Sequence, residues 1–187
     1  QLYAVLLAFF VIGTAMTKAG YRNKAKRGLA QEKGGRRGAS HAFSNAGVAA
    51  ILATFFASTH EQIFWYAAVA ALATAAADTT ASELGQLIGR RTFLPLTLKP
   101  VPVGTEGAIS IEGTLAGLVA GFLVALVATR DPHMLALLTL AAFLGSYVES
   151  LAGNWNRKRT KSVPNGALNF FNTAAGAALL LLLVQVA

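Results

Sequence analysis

Six apolar stretches, each close to the length of a membrane-crossing helix and separated by short polar connections, constrain this chain more than anything else in it. A bilayer hydrocarbon core about 30 Å thick takes roughly 20 largely apolar residues per helix. With no water there, the backbone has to satisfy its own hydrogen bonds, and a helix does so within a single segment. The pattern predicts an all-α, polytopic integral membrane bundle of about six transmembrane helices, at about 1–20, 42–59, 62–88, 111–129, 133–155 and 165–187. These spans and their connections use all 187 residues, so a single transmembrane domain is expected over 1–187. The chain starts at Gln1 without an initiator Met, which leaves room for one more helix upstream. Positive charge follows the first span rather than preceding it, and no small-residue cleavage pattern is present, so this span is expected to be retained and not removed as a signal peptide.

Charge sets the orientation. Lys18, Arg22, Lys24, Lys26, Arg27, Lys33, Arg36 and Arg37 lie at the first connection, Arg90, Arg91 and Lys99 at the third, and Arg157, Lys158, Arg159 and Lys161 at the fifth, which is fifteen of the sixteen Lys and Arg. By the positive-inside rule the odd connections are cytoplasmic and both ends of the chain lie outside. A formal net charge of +8 spread over loops between spans suits anionic lipid head groups or a phosphorylated substrate, and no nucleic-acid partner is expected. The absence of cysteine excludes disulfides, thiolate catalysis and thiolate metal sites, and three scattered His residues argue against zinc. Richness in Ala and Gly points to a bacterial plasma membrane.

Polar residues inside the spans follow the same division. Asn45, Asp78, Ser82, Glu83, Gln86, Glu112, Ser146, Glu149, Asn154, Asn165, Asn169 and Asn172 all fall toward the cytoplasmic ends of their helices. A carboxylate in a span costs about 2.5–3.5 kcal/mol on insertion scales, so such groups usually face a wet cavity and mark function. A channel or transporter needs polar groups along its whole depth, and the outer halves have little polar character.

Within the third span, Ala77-Asp78-Thr79-Thr80-Ala81-Ser82-Glu83-Leu84-Gly85-Gln86 puts Asp78 and Ser82 on one face and Glu83 about 140° away. The two carboxylates converge on one ion only if the site surrounds the helix or the helix loosens at its end; otherwise one binds the ion and the other pairs with an Arg or Lys. Two hard oxygen ligands suit Mg²⁺ completed by water and substrate phosphates; the plainer reading is a pair of interfacial acids capped by basic residues. The third connection, Lys99-Pro100-Val101-Pro102-Val103-Gly104-Thr105-Glu106-Gly107-Ala108-Ile109-Ser110, has prolines that stiffen its entry and glycines that let successive N–H groups turn toward a phosphate near a helix N-terminus. A tight turn explains the same residues, and no Gly-x-x-x-x-Gly-Lys-Ser/Thr loop occurs. Gly113, Gly117 and Gly121 form a small-residue ridge read as helix packing. Gly145, Ser146, Glu149, Ser150 and Gly153 share one stripe of the fifth span, and Asn165, Asn169, Asn172 and Gly176 share one of the sixth, expected to face each other or the site. Arg36 and Arg37 are candidates to clamp phosphates, whereas Arg22, Lys24, Lys26 and Arg27 read as orientation charge.

Four segments together resemble a specific membrane family: Asn45-Ala46-Gly47-Val48, Ala77-Asp78-Thr79-Thr80-Ala81-Ser82-Glu83-Leu84-Gly85, Val101-Pro102-Val103-Gly104-Thr105-Glu106-Gly107-Ala108-Ile109-Ser110 and Asn165-Gly166-Ala167-Leu168-Asn169. That family, long filed as a domain of unknown function, includes plant phytyl-phosphate kinase and an animal transmembrane relative. The match spans about 35–175; it departs at Gly107-Ala108, where a Gly-Gly pair is expected, and at the start, where the family has room for an extra helix. The resemblance implies phosphate transfer from a nucleoside triphosphate, CTP in the plant enzyme, to an isoprenoid monophosphate, and a distant similarity to CTP-using membrane cytidylyltransferases.

On this reading Asp78 and Glu83 hold Mg²⁺ on the nucleotide phosphates, and Gly104, Thr105 and Gly107 cradle those phosphates with Ser82 nearby. Lys99 and Arg36 offset charge, while Glu149, Asn169, Asn172 and Asn45 complete a polar wall and the isoprenoid tail lies among membrane lipids. The rivals are a lipid cytidylyltransferase, a lipid or phosphate transporter without catalysis, and a structural membrane subunit.

Overall fold

The computed structural model describes residues 1–30, 39–156 and 164–187, with side chains of the middle stretch described over 42–151. Among the described residues seven helices follow one another: α1 (Leu2–Lys18), α2 (Tyr21–Lys26), α3 (Ala39–Thr59), α4 (Gln62–Ile88), α5 (Ile111–Ala128), α6 (Pro132–Asn156) and α7 (Asn165–Val186). Between α4 and α5 lie two short strands, β1 (Thr92–Phe93) and β2 (Ile109–Ser110). Among the described residues, α3 to α7 are long and apolar enough to cross a membrane, and α1 is a shorter apolar helix of 17 residues. Each occupies an expected span, with α3 beginning three residues before the expected start.

Helix α4 is the axis of the bundle. Buried positions make up 78% of its span, against 17–39% for the other four long helices, and α1, α3, α5, α6 and α7 all touch it. Its middle, from Ala67 to Ala77, is buried all round, as expected of a helix with no polar face. Alanine makes this possible, because a thin helix lets several neighbours approach at once. The large apolar side chains of the outer helices, among them Phe10, Ile51, Phe55, Leu115, Phe122 and Leu182, point outward, which suits a lipid surround.

Glycine sets the closest approaches. A Cβ on Gly117 would stand 2.8 Å from the Ala77 carbonyl oxygen, and one on Gly113 would run into the Ala81 carbonyl, so the small-residue ridge of α5 lies directly on α4 as expected.

Two features were not expected. The first connection contains α2, turned back beneath the bundle by Gly20, whose φ of 59° is left-handed and where a Cβ would collide with Leu87. The third contains an antiparallel ribbon in which Thr92 pairs with Ser110 and Phe93 with Ile109. Its chain doubles back within 92–101, where Val101 N–H donates to Thr92 O at 3.0 Å and Leu94 N–H to Lys99 O at 3.1 Å. Pro95, Pro100 and Pro102 deny this segment a helix, while Thr, Phe, Val and Ile fit a pleated ribbon.

Candidate active site

The site begins at a three-helix crossing. A Cβ on Gly145 of α6 would lie 2.8 Å from Gly176 Cα of α7 and 3.0 Å from Thr74 Cγ2 of α4. Helices α4 and α6 run toward the basic side of the protein and α7 runs away from it. One turn further toward that side, Asp78, Glu149 and Asn172 therefore occupy the same level on three helices already in close contact. The Glu149 and Asp78 carboxyl groups lie within hydrogen-bonding range, and Glu106, from the loop before β2, acts on Glu149 through space. Two carboxylates so placed repel unless a cation or a proton lies between them.

Two buried oxygens at this level, Glu149 Oε2 and Asn172 Oδ1, have no hydrogen-bond partner among the described residues. Leaving a buried acceptor unsatisfied costs about 1–3 kcal/mol, so the pair marks a place prepared for a donor or a cation. Oxygen donors alone suit a hard ion such as Mg²⁺. Among the described residues no three His, Cys, Asp or Glu side chains are grouped closely enough to hold a metal. The two carboxylates that meet here would need water and phosphate to complete a coordination shell.

A cavity of about 450 Å³ opens in front of the pair. Asp78, Ser82 and Gln86 of α4, Thr114 of α5, Tyr147 and Ser150 of α6, and Asn165 and Asn169 of α7 contribute to its wall, and the loop 103–110 closes it. Gly104 and Gly107 take left-handed φ values of 88° and 73°. At Gly104 a side chain would also collide with Leu29, so glycine is required there for both backbone and space. Thr105 ties the turn together, its N–H and Oγ1 both donating to Pro102 O at 3.2 and 2.7 Å, and Ala108 N–H donates to Thr105 O at 3.0 Å. No hydrogen bond among the described residues uses the amides of Gly104 or Gly107. Ser110 then caps α5, its Oγ accepting from Gly113 N–H at 3.1 Å.

Glu83 is placed differently from the expectation. Its carboxylate meets Lys24 Nζ at 2.5 Å, with both side chains almost fully buried, and Lys24 also donates to Met16 O and Thr17 O at 3.2 and 3.1 Å. The ammonium thereby caps the last carbonyls of α1, where a positive charge is favoured by the helix dipole. The wide angle between Asp78 and Glu83 sends them to opposite neighbours, so the two acids expected to share one ion are divided: Asp78 meets Glu149, and Glu83 meets Lys24. Lys24 is thus a buried partner of the site wall rather than orientation charge.

Of the remaining expected residues, Ser82, Gly104, Thr105, Gly107, Glu149 and Asn169 line the cavity with Asp78. Lys99 does not; it is exposed in the ribbon, away from the cavity lining. Asn45 and Asn172 are buried among the helices. Arg36 lies outside the described residues. Sequence reasoning passed over Lys24, which nothing distinguishes from its basic neighbours before the chain folds, and Glu106, whose acidity inside a glycine-rich phosphate-type loop was the available signal. It also missed Tyr147, whose hydroxyl lies 3.4 Å from Thr114 Oγ1 across the cavity.

The family model described as integral membrane protein DUF92 matches residues 1–177. The chain belongs to this family. That membership bears out the resemblance carried by 45–48, 77–85, 101–110 and 165–169. An uncharacterized membrane protein of Synechocystis sp. (sll0875) is 40% identical over 184 residues, covering 95% of this chain and 71% of its own length. Protein VTE6, chloroplastic, of Arabidopsis thaliana is 34% identical over 196 residues, covering 98% of this chain and 58% of its own. Protein PGR of the same plant is 28% identical over 179 residues, covering 80% and 62%. This DUF92 chain thus spans about six-tenths of the length of the two plant relatives. No solved structure matches it.

Proposed function

We propose that this DUF92 protein is a membrane-embedded phosphotransferase that moves the γ-phosphoryl group of CTP to an isoprenoid monophosphate of the phytyl or polyprenyl class. The reaction lies at the basic, cytoplasmic face. Membership of a family that includes a phytyl-phosphate kinase supports the substrate class. The observation that carries the reading is the meeting of Asp78 and Glu149 in a cavity closed by the Gly104–Gly107 turn. A wall rich in carboxylates repels polyphosphate unless a divalent cation joins the two.

Asp78 and Glu149 would hold Mg²⁺, with Asn172 Oδ1 at the same level as a further oxygen. When bound, Mg²⁺ supplies charge neutralisation on the nucleotide phosphates. The amides of Gly104 and Gly107 donate to phosphate oxygens, and Ser82, Tyr147, Asn165 and Asn169 offer side-chain donors around them. An oxygen of the acceptor phosphate attacks the γ-phosphorus, the bond from that phosphorus to the bridging oxygen breaks, and CDP leaves with the electron pair. The acceptor is already ionised, so no general base is needed, and positioning with charge stabilisation carries the catalysis. The hydrocarbon tail remains among the lipid-facing helices.

Incubation of detergent-purified protein with labelled CTP, Mg²⁺ and geranylgeranyl or phytyl monophosphate, followed by thin-layer separation, tests this. A lipid diphosphate labelled from the γ-position, and lost in Asp78→Asn with the protein still folded, is the expected result. Label entering lipid from the α-position would mean cytidylyl transfer instead, and no labelled lipid with any nucleotide would end the enzymatic reading.

A further inference from the structure

A second groove, of about 740 Å³, lies within the third connection just past α4, between residues 90–93 and 98–103. Arg90, Arg91, Phe93, Leu98 and Val103 line it, and it shares Thr92 and Val103 with the central cavity. Among the described residues neither guanidinium has a hydrogen-bond or ion-pair partner. Glu112 accepts instead from the backbone N–H of Arg90 at 3.3 Å. Cationic donors are therefore left open beside an apolar surface, immediately beyond the last turn of a spanning helix, the depth at which lipid phosphates lie.

The ribbon turn adds a second, independent sign. Leu98 has φ of 54°, a left-handed conformation that glycine would adopt without strain, yet the position carries a large apolar side chain that is 69% exposed. Its N–H donates to Leu94 O at 2.8 Å, which locks the turn. Leu96, Ile88 and Ile111 are likewise exposed around the same end of the bundle. Strain retained to present an apolar side chain suggests a surface that receives hydrocarbon.

We infer that this groove docks the acceptor lipid, a long-chain phosphate monoester whose head group is held by Arg90 and Arg91 and whose tail lies against Phe93, Leu98 and Val103. The inference rests on the phosphotransferase reading for the identity of the ligand. Two guanidiniums match a monoester, which carries close to two negative charges at neutral pH, better than a phosphodiester head group, which carries one. Thr92 and Val103 line both spaces, which places the bound head group next to the cavity where Asp78 and Glu149 meet.

Binding of geranylgeranyl monophosphate to the full chain in detergent, measured without nucleotide, tests the groove. Arg90→Gln/Arg91→Gln is expected to lose more than about tenfold in affinity for the monophosphate and to bind geranylgeraniol and CTP as before. Leu98→Gly, which relieves the strained turn, is expected to weaken the long-chain monophosphate while leaving isopentenyl monophosphate unaffected, and it carries the test should the double variant fail to fold. Unchanged affinity in folded Arg90→Gln/Arg91→Gln, or equal competition by phosphatidylglycerol, overturns the assignment. Arginine-dependent binding in a protein that transfers no phosphate would defeat the phosphotransferase reading and leave the groove standing. Transfer with an unaltered KM in the double variant would do the reverse.

Discussion

Replacing Lys24 with Met removes one half of an ion pair whose side chains are 1% and 4% exposed. The Glu83 carboxylate is then left buried without its counter-charge, a change that costs about 3–5 kcal/mol. Glu83→Gln keeps the two bonds from Lys24 to Met16 O and Thr17 O and should cost less, about 2–3 kcal/mol. In Lys24→Met/Glu83→Gln both charges are gone, and only the α1 end loses its donors, at about 1–2 kcal/mol. The double variant should therefore be more stable than Lys24→Met alone, with a coupling of at least about 3 kcal/mol. Detergent-micelle unfolding followed by tryptophan fluorescence reads all three. Additive losses, or a loss below about 1 kcal/mol for Lys24→Met, would refute the buried pair. Activity gives a second readout: recovery of phosphate transfer in the double variant relative to Lys24→Met is expected if Glu83 serves the pair. A double variant as inactive as Asp78→Asn would return Glu83 to the ion.

Two more outcomes follow from the packing. Gly117→Val should destabilise the bundle by about 1–3 kcal/mol, since even a Cβ there would lie 2.8 Å from the Ala77 carbonyl oxygen, whereas Gly47→Ala, with its nearest contact at 3.6 Å from Phe170, should unfold like the parent protein in the same micelle assay. Asn172→Leu removes a buried acceptor that has no partner and should leave stability unchanged or raised, while weakening Mn²⁺ binding measured by electron paramagnetic resonance; lost stability with intact Mn²⁺ affinity would place Asn172 in packing alone.

The membrane architecture was legible in the chain because it depends on lengths and sides. Runs of apolar residues define where helices cross, and the segregation of Lys and Arg defines the end at which Asp78, Ser82, Glu149 and Asn169 collect. Helical periodicity also separated Asp78 from Glu83. Which partner each acid met depended on neighbours far away in sequence. Glu83 is paired by Lys24, 59 residues earlier, because Gly20 turns α2 beneath α4. Glu149 reaches Asp78 because Thr74, Gly145 and Gly176 let three helices touch one turn away. The ribbon holding Lys99 away from the cavity is closed by hydrogen bonds between residues that local propensity does not pair. Composition and period thus determined the helices, their order and the polar end. Only tertiary structure decided which carboxylate is paired by a lysine and which meets a second carboxylate, because that choice is made by contacts between helices, and spacing along one helix can state only the directions in which side chains leave it.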